Sequence, residues 1–120
     1  NETKKATLVY MIDKQSQKVW LAKKTRKIGT GYYFGYGGKI EPGQTPEENV
    51  VWETEIESGG VKIPKESLEA VAVIDFYNGD VKTEFPGFRV ICYRTFDFSG
   101  TPITTEEMAD PYDFNLSDIT

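Results

Sequence analysis

Glu53 and Glu57 are the residues of this chain best placed to do chemistry, because they lie one helical turn apart in a segment built to be a helix. Thr45 suits the N-cap, Pro46 the first helical position, and Glu48 completes a capping box. Gly59 and Gly60 then supply a left-handed ending. A period of 3.6 puts Asn49, Glu53 and Glu57 on one stripe, with Ile56 beside it. Just upstream, Gly35-Tyr36-Gly37-Gly38-Lys39 is a loop rich in accessible backbone N–H groups. Two carboxylates on adjacent turns facing such a loop are the ingredients of a Mg²⁺–phosphate site. Lys39 follows the glycines directly and is the nearest cation for a phosphate. The chain has no histidine, which removes the commonest general base and the usual transition-metal ligand.

The elements that must hold these residues are mostly strands. Lys5 to Asp13 reads as a strand, turns at Lys14 to Gln17, and returns as Lys18 to Lys23. A basic cluster of Lys23, Lys24, Arg26 and Lys27 leads to Gly29-Thr30-Gly31, and Tyr32 to Ile40 is an extended aromatic and glycine-rich run. The helix is expected over Pro46 to Ser58. Short and longer strands follow at Val61 to Ile63, Leu68 to Tyr77 and Phe88 to Phe98, with a turn at Asn78-Gly79-Asp80. Thr105 to Asp110 reads as an acidic loop or a turn of helix, and Tyr112 to Thr120 as at most a short strand and a turn. Several strands around one helix predict an α/β (α+β) domain with a mixed sheet packed against helix.

At 120 residues the sequence is one domain, spanning 1–120, large enough for its own core. Aromatic residues at 13% and hydrophobic residues at 38% mark a folded globule rather than a disordered segment. A net charge of −5 argues against a nucleic acid polymer as partner, since that needs clustered Lys and Arg. It leaves room for a small phosphorylated ligand in a local basic pocket. No run approaches the roughly 20 apolar residues of a membrane span. The single cysteine, Cys92, lies in an apolar run and is expected in the core, and a cytoplasmic setting is expected. The sequence begins at Asn1 without Met, as a trimmed or processed chain would.

The stretch from Gly38 to Gly60, GKIEPGQTPEENVVWETEIESGG, resembles the Nudix box, the signature of hydrolases that cleave nucleoside diphosphates linked to another group. The family pattern is Gly, five residues, Glu, seven residues, then Arg-Glu-aliphatic-x-Glu-Glu-x-Gly-aliphatic. Gly38, Glu53, Glu57 and Gly59 stand in register with it. Gly35 to Lys39, Gly100-Thr101-Pro102 and Glu106-Glu107-Met108 are similar to the MutT-like branch that hydrolyses oxidised purine nucleoside triphosphates. The resemblance implies an α/β/α sandwich with the box as loop–helix–loop, lacking here the usual C-terminal helix. It implies Mg²⁺ or Mn²⁺ held by Glu53 and Glu57, with Gly37, Gly38 and Lys39 at the phosphates. Tyr33 and Phe34 fall where that branch contacts the base; Tyr32 and Tyr36 are further stacking candidates.

The box also departs from the pattern. Gln44 replaces the first Glu, Trp52 the Arg, Ile56 the middle Glu of the last cluster, and Thr54 and Gly60 aliphatic residues. Isoleucine cannot coordinate a cation, and an indole carries one donor and no charge. Trp52 and Ile56 are expected to fill space that is polar in the family. Thr104 stands at the closest match to a late glutamate of some relatives, leaving Glu106 or Glu107 as substitutes. Three readings stay open: a nucleotide pyrophosphohydrolase with weakened metal binding and reduced turnover, an inactive module that binds a nucleotide or protein, and a deliberately substituted enzyme.

Overall fold

The structure is a computed structural model and describes residues 4–25, 30–77 and 87–118. Its strands are β1 (Lys4–Asp13), β2 (Lys18–Lys24), β3 (Tyr33–Phe34), β4 (Glu69–Tyr77), β5 (Gly87–Thr95) and β6 (Met108–Asn115). The helix α1 covers Pro46–Ser58, and 3-10 turns occupy Lys65–Ser67 and Leu116–Asp118. The strands form one mixed sheet, ordered β3-β2-β1-β5-β4, with β6 off this path and paired to β2. Mixing arises at the centre, where β1 runs parallel to β5 from Lys4↔Phe88 to Met11↔Thr95, while the other ladders are antiparallel.

One edge of β1 is shared between two partners. Its end pairs with β2 through Met11↔Trp20 and Asp13↔Lys18. Its first half instead receives the glycine strand, Tyr36 to Ile40. Thr7 N–H donates to the Gly38 carbonyl at 2.9 Å, and Val9 N–H to the Tyr36 carbonyl at 2.7 Å. Thr7, Val9 and Met11 point to the buried face, the alternation a pleated strand requires.

Both ends of α1 form as expected. Glu48 N–H donates to Thr45 Oγ1 at 3.1 Å while Glu48 accepts from Thr45 N–H at 2.9 Å. Gly59, at φ 80°, closes the far end. The Tyr93 hydroxyl on β5 donates to Glu47 at 3.0 Å and ties the first turn to the sheet. Between helix and sheet lie Val9, Met11, Ala22, Tyr36, Val50, Val61, Ile63, Tyr93 and Met108.

The packing of α1 is inverted relative to an ordinary amphipathic helix. Three of its four buried residues, Asn49, Thr54 and Ser58, are polar, whereas Trp52 and Ile56 are about half exposed, at 50% and 49%. The buried hydroxyls are satisfied by the helix itself: Thr54 donates to the Val50 carbonyl at 2.6 Å and Ser58 to the Thr54 carbonyl at 2.5 Å. Trp52 and Ile56 are therefore half exposed beside the carboxylate stripe rather than part of the core.

Other expectations are corrected in detail. Met108–Asn115 is a full strand rather than a loop followed by a short strand. Its Pro111 lacks an N–H but lies opposite the irregularity in β2 between Leu21 and Lys23, where the ladder skips. Val61 to Ile63 contributes only the single bridge Lys62↔Ser99, and only Tyr33–Phe34 of the run 32–40 is a regular strand. The Asn78-Gly79-Asp80 turn lies outside the described residues, as do Arg26, Lys27 and Gly29.

Candidate active site

Three successive turns of α1 meet three successive residues of the glycine strand. Asn49 Nδ2 donates to the Lys39 carbonyl at 2.8 Å. The Glu53 carboxylate lies where a side chain on Gly38 would stand, so even one carbon there would collide with it. Glu57 Oε1 accepts from the Gly37 N–H at 3.2 Å. Gly37 is itself pressed against the Thr7 carbonyl, again with no clearance for a Cβ. From Asn49 to Glu57 the helix rises about 12 Å. From Lys39 to Gly37 the strand rises only about 7 Å. The two carboxylates therefore converge on the glycines rather than running parallel.

Electrostatics at this point are strained. Burial pushes the Glu57 carboxyl up to about 8, and the charges of Glu53 and Glu107 push the same way; the Gly37 N–H and the Lys24 ammonium pull it back. Burial, and then the Glu57 charge, hold the Tyr36 phenol well above its ordinary range. The Tyr36 hydroxyl is the buried side-chain polar atom without a hydrogen-bond partner among the described residues. Tyr36 is a core residue with no exposure, so its ring is not a face for a ligand.

Lys24 and Glu107 reach this site through the sheet. Lys24 pairs with Met108 at the end of the β2–β6 ladder, and Thr25 N–H donates to the Glu107 carbonyl at 3.3 Å. Thr105 Oγ1 binds the Glu57 backbone carbonyl at 2.7 Å, fixing the 105–108 segment to the end of α1. The sequence signal for Lys24 is only a basic cluster; its pairing across β2 gives it a role that Lys23, ion-paired to Asp110 at 3.7 Å, does not share. Thr104 accepts the Asp110 N–H at 3.0 Å and so shapes the loop. Lys39 is exposed, and its contribution to the geometry is its backbone carbonyl.

Tyr33 and Phe34 separate, as adjacent strand residues must. Phe34 shares a face with Lys24, whose Nζ lies 6.0 Å from its ring centre. Tyr33 turns to the opposite face and packs edge-on against Phe114 at 5.1 Å, which in turn meets Tyr112 at 4.8 Å. Phe34 thus lies on the face of Lys24, and Tyr33 on the face of Phe114.

A NUDIX domain model matches residues 2–118, nearly the whole chain. The chain belongs to the Nudix family. It is 34% identical over 117 residues to the oxidized purine nucleoside triphosphate hydrolase of Mus musculus, a match spanning 94% of this chain and 67% of the mouse protein. The Nudix fold is matched by a MutT NUDIX hydrolase from Burkholderia pseudomallei, with a TM-score of 0.84 at 19% identity over 100% of this chain and 88% of that one. The NUDIX domain of Shewanella oneidensis NrtR, solved with ADP ribose, superposes with a TM-score of 0.76 at 15% identity over 99% of this chain and 77% of that chain.

Among the described residues no three side chains of metal-ligating type converge as a ready-made cage. Glu53 and Glu57 present two carboxylates beside the Gly37–Gly38 backbone, and burial is the chief cause of the raised Glu57 carboxyl. Magnesium is commonly held by one or two carboxylates, with water and substrate phosphates completing the shell. No helix among the described residues is long and apolar enough to cross a membrane.

Proposed function

We propose that this chain is a Nudix hydrolase domain acting on a diphosphate linkage of a nucleotide-like small molecule, with Glu53 and Glu57 as the metal-holding residues and a slowed reaction. The observation that carries the proposal is the convergence of Glu53 and Glu57 on Gly38 and Gly37. In this reading Mg²⁺ or Mn²⁺, when bound, supplies Lewis-acid polarisation of the phosphate and lowers the pKa of bound water. Glu53 and Glu57 hold the cation, Glu57 being steered by the Gly37 N–H. The exposed Lys39 and the cleft-side Lys24 attract the phosphates, and Phe34 offers an apolar ring beside Lys24. Slow turnover follows from Ile56, which offers no ligand, and from Trp52, which offers no charge to orient a neighbouring carboxylate.

Pyrophosphate or phosphate release from a panel of nucleoside triphosphates and ADP-ribose-type diphosphates, with Mg²⁺ or Mn²⁺, tests the proposal. Low turnover is expected, lost in Glu53→Gln with Glu57→Gln, and raised at least about a hundredfold by Trp52→Arg with Ile56→Glu, since ligands and their orienting groups act as a unit. A folded Trp52→Arg, Ile56→Glu variant with no activity on any member of the panel would sink the catalytic reading. The alternative is then an inactive Nudix module that binds a nucleotide or protein. That reading is favoured by the half-exposed apolar pair Trp52 and Ile56 on the box helix.

A further inference from the structure

We infer that Gln44 and Asn49 form an uncharged latch holding the glycine strand at its working distance from the glutamate stripe, with Asn49 as a positioning residue. The latch goes beyond the proposed function, and only the nucleotide arm of its test rests on that reading.

Asn49 is fully buried and each of its polar atoms is used. Its Oδ1 accepts from Thr7 Oγ1 at 2.6 Å. Its Nδ2 donates to the Lys39 carbonyl at 2.8 Å and to Gln44 Oε1 at 3.0 Å. That same Gln44 oxygen accepts the Glu41 N–H at 3.0 Å. The orientations of both amides are forced: a carbonyl can only face the NH₂ of Asn49, and the Glu41 N–H can only face the oxygen of Gln44. One helix side chain therefore grips both ends of the loop from Lys39 to Gln44. Through Thr7, whose N–H binds the Gly38 carbonyl at 2.9 Å, it also grips β1.

Asn49 sits one turn before Glu53 and two before Glu57 on the same stripe. The Glu53 carboxylate occupies the space a side chain on Gly38 would need, and the Gly37–Glu57 bond is already 3.2 Å long. Both depend on how far the glycine strand stands from α1, which is the distance that Asn49 sets. Position 44 then needs an oxygen acceptor rather than a charge. Gln44 meets that need as a glutamate would, so its lack of charge removes no part of this architecture. An aspartate at 49, by contrast, would point a carboxylate at the Lys39 carbonyl and the Gln44 oxygen.

The test compares Gln44→Glu, Gln44→Met, Asn49→Ala and Asn49→Asp with the unaltered chain. Amide hydrogen exchange is read at Glu41, at Gly37 and at the distant cap residue Gly60. Mn²⁺–ADP binding is read by calorimetry. Gln44→Met is expected to speed exchange at Glu41 about tenfold, and both Asn49 variants to do so at Gly37, with Gly60 unchanged. Gln44→Glu should hold both sites within about twofold, a rescue that follows from the acceptor alone. The Mn²⁺–ADP Kd should weaken about tenfold in Asn49→Ala and Gln44→Met but not in Gln44→Glu. If the unaltered chain binds no Mn²⁺–ADP, the nucleotide reading fails while the exchange data still decide the latch. Unchanged Gly37 exchange in Asn49→Ala, or Gln44→Glu as disruptive as Gln44→Met, overturns it. Should Asn49→Ala lose protection at Gly60 too, and so be globally destabilised, the half-buried Gln44 pair decides on its own.

Discussion

Glu57 is a carboxylate held in the wrong medium for its charge. Its folded value of about 8 lies above the ordinary 4.5, so between those limits the folded chain keeps a proton that the unfolded chain has lost. Stability should therefore be fully present below about pH 4.5 and fall as pH rises toward 8, by a few kcal/mol in the metal-free chain. Urea denaturation across that window, with Glu57→Gln as control, checks the sign: the variant should be flat where the unaltered chain slopes. Saturating Mn²⁺ should flatten the slope as well, because a cation favours the ionised carboxylate, and binding should release a proton in the same window. A slope of opposite sign would mean that Glu57 is charged and compensated in the folded state.

The helix shows how local information outruns non-local information. Its span and both caps are legible in Thr45, Pro46, Glu48 and Gly59, because each signal acts within one turn of its residue. The stripe of Asn49, Glu53 and Glu57 follows from helical period alone. What α1 buries does not, since Thr54 and Ser58 satisfy their hydroxyls on the helix itself and so behave as small core residues. Trp52 and Ile56 illustrate the converse: how far a large apolar side chain on a helix is covered depends on non-local neighbours, and these two stay half exposed. Replacing each with Lys should change stability by no more than about 1 kcal/mol, whereas Val50→Lys, at a fully buried site, should prevent folding. Chemical denaturation of the three variants separates these outcomes. β6 escaped the sequence for a related reason. Its Pro111 beside Asp110 reads as loop, and only the ladder with β2, with its irregularity opposite Pro111, makes the segment a strand. Lys24 and Glu107 are likewise joined to Glu57 by strand pairing, which no local spacing reveals.

At the scale of the whole molecule, the divided edge of β1 gives that strand two separate audiences. Alternate N–H groups of a strand point to opposite neighbours, so those of Thr7 and Val9 address the glycine strand while those between them address β5. Loss of the glycine strand from the sheet would expose only the first set. The protein thus carries an internal clock with two hands on one element. Exchange at Thr7 and Val9 times the opening of the site, while exchange at Leu8 and Tyr10 times the opening of the sheet. The first pair is expected to exchange at least about tenfold faster than the second, and to slow selectively when Mn²⁺ and ADP are added. Equal rates at all four amides, shifting together with ligand, would show that site and sheet open as one unit. The same measurement would then report global unfolding from a strand that was expected to keep two times.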